Sequence, residues 1–158
     1  MRDFIRKGLS FGLTSGTITT LGLMAGLHSE TGSKAIVMGG ILTIAIADAF
    51  SDALGIHVSE ESQHAHTRRQ IWAATLATFA AKFLFALTFL VPLLVLPLST
   101  AIVVSVAWGL LALALLSYLI ARSRGERPWR AITEHLVIAI VVVTITHLLG
   151  DWLGRAIE

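Results

Sequence analysis

Five long apolar stretches divide this chain, and they limit its fold more than any other feature. Each contains about 20 residues or more, which is enough for a helix to cross the hydrocarbon core of a bilayer. Apolar residues make up 55% of the chain and charged residues 14%, a balance too apolar for an ordinary soluble domain. The sequence therefore predicts one all-α membrane domain, a bundle of five transmembrane helices. They span about residues 8–27, 35–58, 71–96, 99–121 and 132–153.

The first stretch is the least apolar of the five, because threonines and glycines crowd its middle. Gly8, Gly12 and Gly16 recur every four residues, and Gly22 and Gly26 repeat that spacing further along. Such glycine faces allow close approach of helix backbones. We therefore expect this helix to be buried among the others and to form a homodimer contact. Its length and the lack of a small-residue cleavage site favour an uncleaved span over a signal peptide.

Basic residues predict the orientation of the bundle in the membrane. Five spans place the N-terminus and the loops 59–70 and 122–131 on one side, whereas the other side carries only Lys34 and Arg155. Loops rich in lysine and arginine face the cytoplasm, so we expect a cytoplasmic N-terminus in a multi-pass protein of the cell membrane. The basic residues of that side are Arg2, Arg6, Lys7, Arg68, Arg69, Arg122, Arg124, Arg127 and Arg130.

Two aspartates lie within the second apolar stretch, where hydrocarbon disfavours charge. Asp48 and Asp52 are four residues apart and share one helix face with Ser51. Intramembrane carboxylates face a protein interior or a water-filled path, and they commonly mark the route of an ion or proton. Lys82, near the centre of the third stretch, also needs a partner, so an ion pair between helices is the alternative role for either aspartate.

The end of the second helix carries residues that could capture a metal from the cytosol. His57, Glu60, Glu61 and His64 follow the spacing i, i+3, i+4 and i+7, which places them on one face if the helix continues. Imidazole and carboxylate groups together suit first-row divalent metals. The alternative is a solvated helix end whose acids meet the basic pair 68–69.

A second polar group lies near the predicted outer end of the fifth span. Thr144, His147 and Asp151 fall on one helix face with the spacing i, i+3 and i+7. This arrangement is typical of an outer ion vestibule, and equally of a hydrogen-bonded pair at a helix end. Both interpretations stay open at the level of sequence.

The first two stretches resemble the vacuolar iron transporter (VIT) family of small five-span membrane proteins. The segment GLTSGTITTLGLMAGL, residues 12–27, looks like the family's first helix, and AIADAFSDALGIHVSEES, residues 45–62, looks like its second helix. This resemblance implies a homodimer that exports ferrous iron or similar divalent metals from the cytosol in exchange for protons.

The chain departs from the family pattern at the positions that hold metal. The family's first-helix aspartate falls on Ser15, its second-helix methionine falls on Asp52, and an acidic position falls on Ile44. The glutamate-rich cytoplasmic insert is reduced to SEESQHAHTRRQ, residues 59–70. A different ligand set is therefore expected at mid-depth in the membrane. It is centred on Asp48 and Asp52, with Ser15, Thr14, Met24 and Ser51 beside them.

The predicted function is transport of a divalent cation, with Fe²⁺ or Mn²⁺ as cargo. We expect a non-enzymatic protein without a permanently bound cofactor, whose partners are the lipid bilayer, divalent metal ions, protons and a second copy of itself. The absence of cysteine excludes disulfides and thiol catalysis, and the clustered arginines indicate topology rather than nucleic-acid binding. The alternative is a non-transporting membrane interaction or assembly protein whose polar residues only specify helix packing. An intramembrane aspartyl hydrolase is disfavoured, since both aspartates lie on one helix.

Overall fold

The computed structural model describes residues 1–63 and 65–157, and these residues form six α-helices without a β-strand. The all-α fold that the sequence predicts is confirmed. Two of the helices follow each other with a single residue between them, so the bundle has five helical rods. The helices are α1 (Arg2–Thr31), α2 (Lys34–Glu61), α3 (Arg68–Thr88), α4 (Leu90–Val95), α5 (Leu98–Arg124) and α6 (Pro128–Ile157).

A tight turn joins α1 to α2 and makes them antiparallel neighbours. Gly32 ends α1 with φ 58°, a left-handed conformation that glycine adopts without strain, and its N–H donates to the carbonyl of His28 over 3.0 Å. Ser33 then caps α2, since its hydroxyl accepts a hydrogen bond from the N–H of Ile36.

The first helix occupies the centre of the bundle, where it packs against α2, α3, α5 and α6. Its glycines allow this contact. A Cβ atom at Gly8 would lie 2.3 Å from the carbonyl oxygen of Ala74, and one at Gly12 would lie 2.6 Å from that of Thr78. The predicted burial of the first helix is therefore what the structure shows.

Both glycine faces of α1 are covered within the protomer. Gly8, Gly12 and Gly16 contact α3, whereas Gly22 and Gly26 contact α6 around Thr146. A homodimer formed through these glycines would have to displace α3 or α6. Packing within the chain therefore occupies the glycine faces, and the predicted homodimer through the first helix stays a prediction.

The third predicted span is interrupted near one end. α3 ends at Thr88 and α4 begins at Leu90, and Phe89 lies between them. Pro92 lacks an N–H, and its ring would collide with the carbonyl four residues earlier, that of Thr88. The break therefore comes three residues before the proline.

Within the part of the chain that the structure describes, four helical segments are long and apolar enough to cross a membrane. They are Lys34–Glu61, Arg68–Val95, Leu98–Arg124 and Pro128–Ile157, where the second combines α3 and α4. These segments indicate a multi-pass membrane protein. α1 does not reach the same hydropathy, as its threonines and glycines predict, although its 30 residues extend roughly 45 Å.

The hydrophobic core lies in the half of the bundle nearest the α1–α2 turn. Leu21 of α1, Ile41 of α2 and Phe89 are each completely buried there. The opposite half contains the polar side chains of α2 and α3. The bundle is thus divided into an apolar half and a polar half, and the charged residues concentrate from its middle towards one end.

Candidate functional site

The polar centre of the bundle lies where α1, α2 and α3 meet, near the midpoint of each rod. Ser15 comes from α1, Asp48 and Asp52 come from α2, and Lys82 comes from α3. We call these four residues the central cluster. Gly16 makes room for the lysine, because a Cβ atom there would lie 3.1 Å from Lys82 Cγ. The small residues of α1 therefore let α3 approach closely enough for its lysine to reach α2.

Lys82 contacts every other member of the central cluster. Its Nζ lies 2.5 Å from Asp48 Oδ2 and donates hydrogen bonds to Asp52 Oδ2 and, over 2.9 Å, to Ser15 Oγ. The contact with Asp48 is an ion pair by distance but lacks the alignment of a hydrogen bond. Ser15 in turn donates to Asp52 Oδ2 over 2.6 Å. The ion pair that the sequence predicts for either aspartate involves both.

The central cluster is closed on the lysine side and partly open on the carboxylate side. Lys82 is 2% exposed, whereas the side chains of Asp48 and Asp52 are 25% and 20% exposed. Asp48 lines an open cavity of about 700 Å³ between α1 and α2, together with Thr19 and Ser51. Two ionised carboxylates and one ammonium leave one net negative charge. A cation that enters this cavity therefore meets an incompletely neutralised carboxylate.

Two residues predicted to assist at mid-depth lie elsewhere. Thr14 precedes Ser15 directly and points about 100° away around the helix, so it lines a different cavity between α1, α5 and α6. Met24 lies about 13.5 Å further along α1 and is part of the hydrophobic core. Ser51 reaches the cavity of Asp48 but not Lys82. Helical geometry therefore excludes Thr14 and Met24 from the central cluster.

Of the residues predicted to form a metal-capturing face at the end of α2, the three that the structure describes, His57, Glu60 and Glu61, do not converge on one site. His57 Nδ1 lies 3.0 Å from Thr75 Oγ1 on α3, and its ring packs edge-on against Trp72. Glu61 is exposed, and His64 lies outside the described residues. Within residues 1–63 and 65–157, no group of three or more histidine or acidic side chains could hold a metal.

Glu60 is completely buried and forms a second polar group, which we call the end cluster. Its carboxylate pairs with Lys7 at the start of α1, and His66 Nδ1 lies 3.0 Å from Oε2. Phe4 packs edge-on against the His66 ring. For Glu60, the alternative of a solvated helix end is therefore wrong, because α1 and His66 cover this carboxylate.

The sequence did not indicate Lys7 and His66 as partners of Glu60. Lys7 is 53 positions away and was interpreted as part of the basic N-terminus. No pattern in the sequence links these residues, since their contact depends on how α1 packs beside α2. For Glu60, the only signal in the sequence was its position on the helical face that also carries His57.

The polar residues of α6 do not converge on a site. Thr144 donates to the carbonyl of Ile140, four residues earlier, and His147 is exposed. Asp151 pairs with Arg155 over 2.6 Å on the helix surface. Both contacts lie within one helix, so the predicted vestibule reduces to local hydrogen bonds and an ion pair.

Comparison with known proteins identifies the family of this chain. No curated protein matches it. The model of the VIT family matches residues 65–151, which run from just before α3 to near the end of α6 and include Lys82. The motifs in α1 and α2 that resemble the family lie outside that match. The family model and the motifs therefore indicate the same family from different parts of the sequence. The chain belongs to the VIT family, a family of membrane metal-ion transporters.

Proposed function

We propose that this protein exports divalent metal cations of the iron or manganese class from the cytosol in exchange for protons. Membership of the VIT family and four apolar helices support metal transport across a membrane. The observation that carries the proposal is the central cluster. There, one buried lysine is shared by two partly exposed carboxylates, and one of them, that of Asp48, lines an open cavity.

The lysine ammonium stands where a metal cation would bind. It contacts both carboxylates of α2 and the hydroxyl of Ser15, a set of oxygen atoms that suits a hard divalent cation such as Mn²⁺. A metal ion arriving through the cavity would meet Asp48 first and would compete with Lys82 for it. The metal would thus displace the ammonium of Lys82 from the carboxylates. It would not enter a site in which both carboxylates lack a counter-charge.

Proton exchange follows from the same charge count. The carboxylate charge that Lys82 does not neutralise can be balanced by a proton when the metal is absent. Metal ligands must be deprotonated, so binding of the cargo would release that proton. We therefore assign Asp48 and Asp52 both metal binding and proton exchange.

The same proposal includes the topology. α1 would be the fifth span, held among the other helices by its glycine faces, with the N-terminus in the cytoplasm of a cell-membrane protein. Nine basic residues lie at the bundle end that contains the starts of α1, α3 and α6 and the end of α5. The homodimer that the family resemblance implies stays a prediction, and it would need a surface other than those glycine faces.

A flux measurement with Asp52→Asn tests the proposal. Full-length protein in liposomes is given Mn²⁺ or Fe²⁺, and metal entry and pH are followed with two trapped dyes. We expect metal-driven proton movement in the unsubstituted protein and none above protein-free liposomes in Asp52→Asn, since the neutral amide cannot exchange a proton. Asp151→Asn is the matched control, because it makes the same chemical change on the surface of α6. Equal flux in the Asp52 variant and the unsubstituted protein would refute the assignment.

A second candidate function is a non-transporting assembly protein in which the central cluster only fixes helix packing. The full burial of Lys82 between two aspartates favours it, because polar contacts of this kind specify helix register in membranes. Calorimetry separates the two candidates. Absence of binding heat with iron, manganese, cobalt and zinc would support the assembly protein.

A further inference from the structure

A cavity of about 660 Å³ opens between the first turns of α1, the end of α5 and the beginning of α6. The central cluster does not account for it. Arg6, Lys7 and Arg124 line it, and Asp3 is the one acidic residue of the lining. The cavity therefore has an excess of positive charge.

Two arginines supply the uncommitted charge of this cavity. The ammonium of Lys7 contacts Glu60 in the end cluster. Within the described residues, Arg6 and Arg124 form no ion pair with any acidic side chain. A guanidinium presents parallel N–H groups whose geometry matches two oxygens of a phosphate. The charge and shape of this site thus favour a phosphate group.

Hydroxyl and imidazole groups complete the polar wall. Ser10 contributes a hydroxyl, Ser123 contributes one whose hydrogen is donated to the carbonyl of Ile120, and His135 lies at the α6 side. The imidazole is held in place, because its Nδ1 lies 2.7 Å from the buried Ser117 hydroxyl. That hydroxyl also donates to the carbonyl of Leu113 over 2.6 Å. A fixed imidazole therefore borders the cavity.

Apart from the hydroxyl of Thr14, the rest of the lining is apolar, which argues against a small inorganic anion. Phe11 and Ile120 line the same cavity as the arginines, and the cavity lies at the basic end of the bundle. We propose that it binds the phosphate headgroup of an anionic phospholipid. Arg6 and Arg124 hold the phosphate, while Phe11 and Ile120 cover the first carbons of the lipid. Such a lipid joins the start of α1 to α5 and α6.

Lipid titration by native mass spectrometry of the full-length protein tests this site. The probes are phosphatidylglycerol, phosphatidylcholine and, in a separate arm, inorganic phosphate. We expect phosphatidylglycerol to bind with about tenfold preference over phosphatidylcholine, and Arg6→Gln/Arg124→Gln to remove about tenfold of its affinity. Arg68→Gln/Arg69→Gln removes the same charge at the start of α3, outside the cavity, and should change affinity by less than about twofold.

A cavity-filling variant separates a bound headgroup from general attraction to a basic surface. Ser123→Trp leaves every charge in place but occupies part of the cavity, so it should also weaken phosphatidylglycerol binding. An unchanged affinity in Ser123→Trp, or equal losses in the two arginine pairs, would overturn the site. Competition by inorganic phosphate at concentrations equal to those of the lipid would overturn the lipid as ligand, since it would show that the apolar wall contributes nothing.

Discussion

The central cluster and the end cluster use the same chemical pair with opposite exposure. Each joins α2 to another helix through a lysine and a carboxylate. In the central cluster the lysine is 2% exposed and its two aspartates are 20–25% exposed. In the end cluster Glu60 is completely buried, and its lysine partner is 49% exposed. The partner that remains accessible is therefore anionic in one cluster and cationic in the other.

This difference in exposure suits the central cluster to binding a cation and the end cluster to stabilising the fold. Lys82 meets two carboxylates, so one negative charge stays unmatched and accessible from a cavity. Glu60 meets both Lys7 and His66, and no face of it is open to solvent. We infer that the central cluster serves transport, whereas the end cluster anchors the start of α1 to the end of α2.

The largest expected effect comes from removing the shared cation of the central cluster. Lys82→Met should abolish metal-driven proton movement in liposomes, because both aspartates lose the charge that orders them. The variant should still fold, since neither aspartate is fully buried. A role in packing alone is indicated instead if Lys82→Met does not fold and the added changes Asp48→Asn and Asp52→Asn restore it.

The next effect concerns the contact between α1 and α3, on which the central cluster depends. Gly12→Val places a methyl-bearing carbon against the backbone oxygen of Thr78, which cannot move aside without separating the helices. We expect a loss of about 3 kcal/mol in unfolding free energy, measured by denaturant titration in detergent. Gly39→Val is the matched control, because a Cβ atom at Gly39 meets nothing within 4 Å. Equal losses in both variants would contradict a close α1–α3 contact.

The end cluster should affect stability and not transport. Glu60→Gln keeps the shape of the side chain but removes the charge that Lys7 and His66 contact, so we expect a loss of about 1–3 kcal/mol in unfolding free energy. Flux per folded molecule should remain within about twofold of the unsubstituted protein. Glu61→Gln, at the exposed neighbouring position, provides the control. Loss of flux in Glu60→Gln at unchanged stability would place Glu60 on the metal path.

The smallest effect is expected on α6. Asp151→Asn removes a surface ion pair with Arg155 within one helix, and such pairs contribute about 0.3–0.5 kcal/mol. The thermal unfolding midpoint and the metal flux should therefore stay close to those of the unsubstituted protein. A marked loss of flux would restore the outer vestibule that the sequence predicted.

Local pattern was sufficient to predict much of the fold. Long apolar stretches identify the helices because each rod must present apolar side chains over its whole length. Pro128 begins α6, as expected for a proline at a first helical position. The pairing of Lys82 with the aspartates was also predictable, since few partners exist for an ammonium at the centre of an apolar helix.

Only the tertiary structure decided which faces of these helices meet. Ser15 joins the central cluster, while its neighbour Thr14 faces another cavity. Glu60 pairs with Lys7 although the two residues are 53 positions apart in the sequence. Helical periodicity determines which residues share a face, but the partner of a face depends on contacts between segments far apart in the chain. The sequence by itself therefore determined the helices and the residues able to carry charge in a membrane. The packing of α1 against α2 and α3 determined which of those residues form one site.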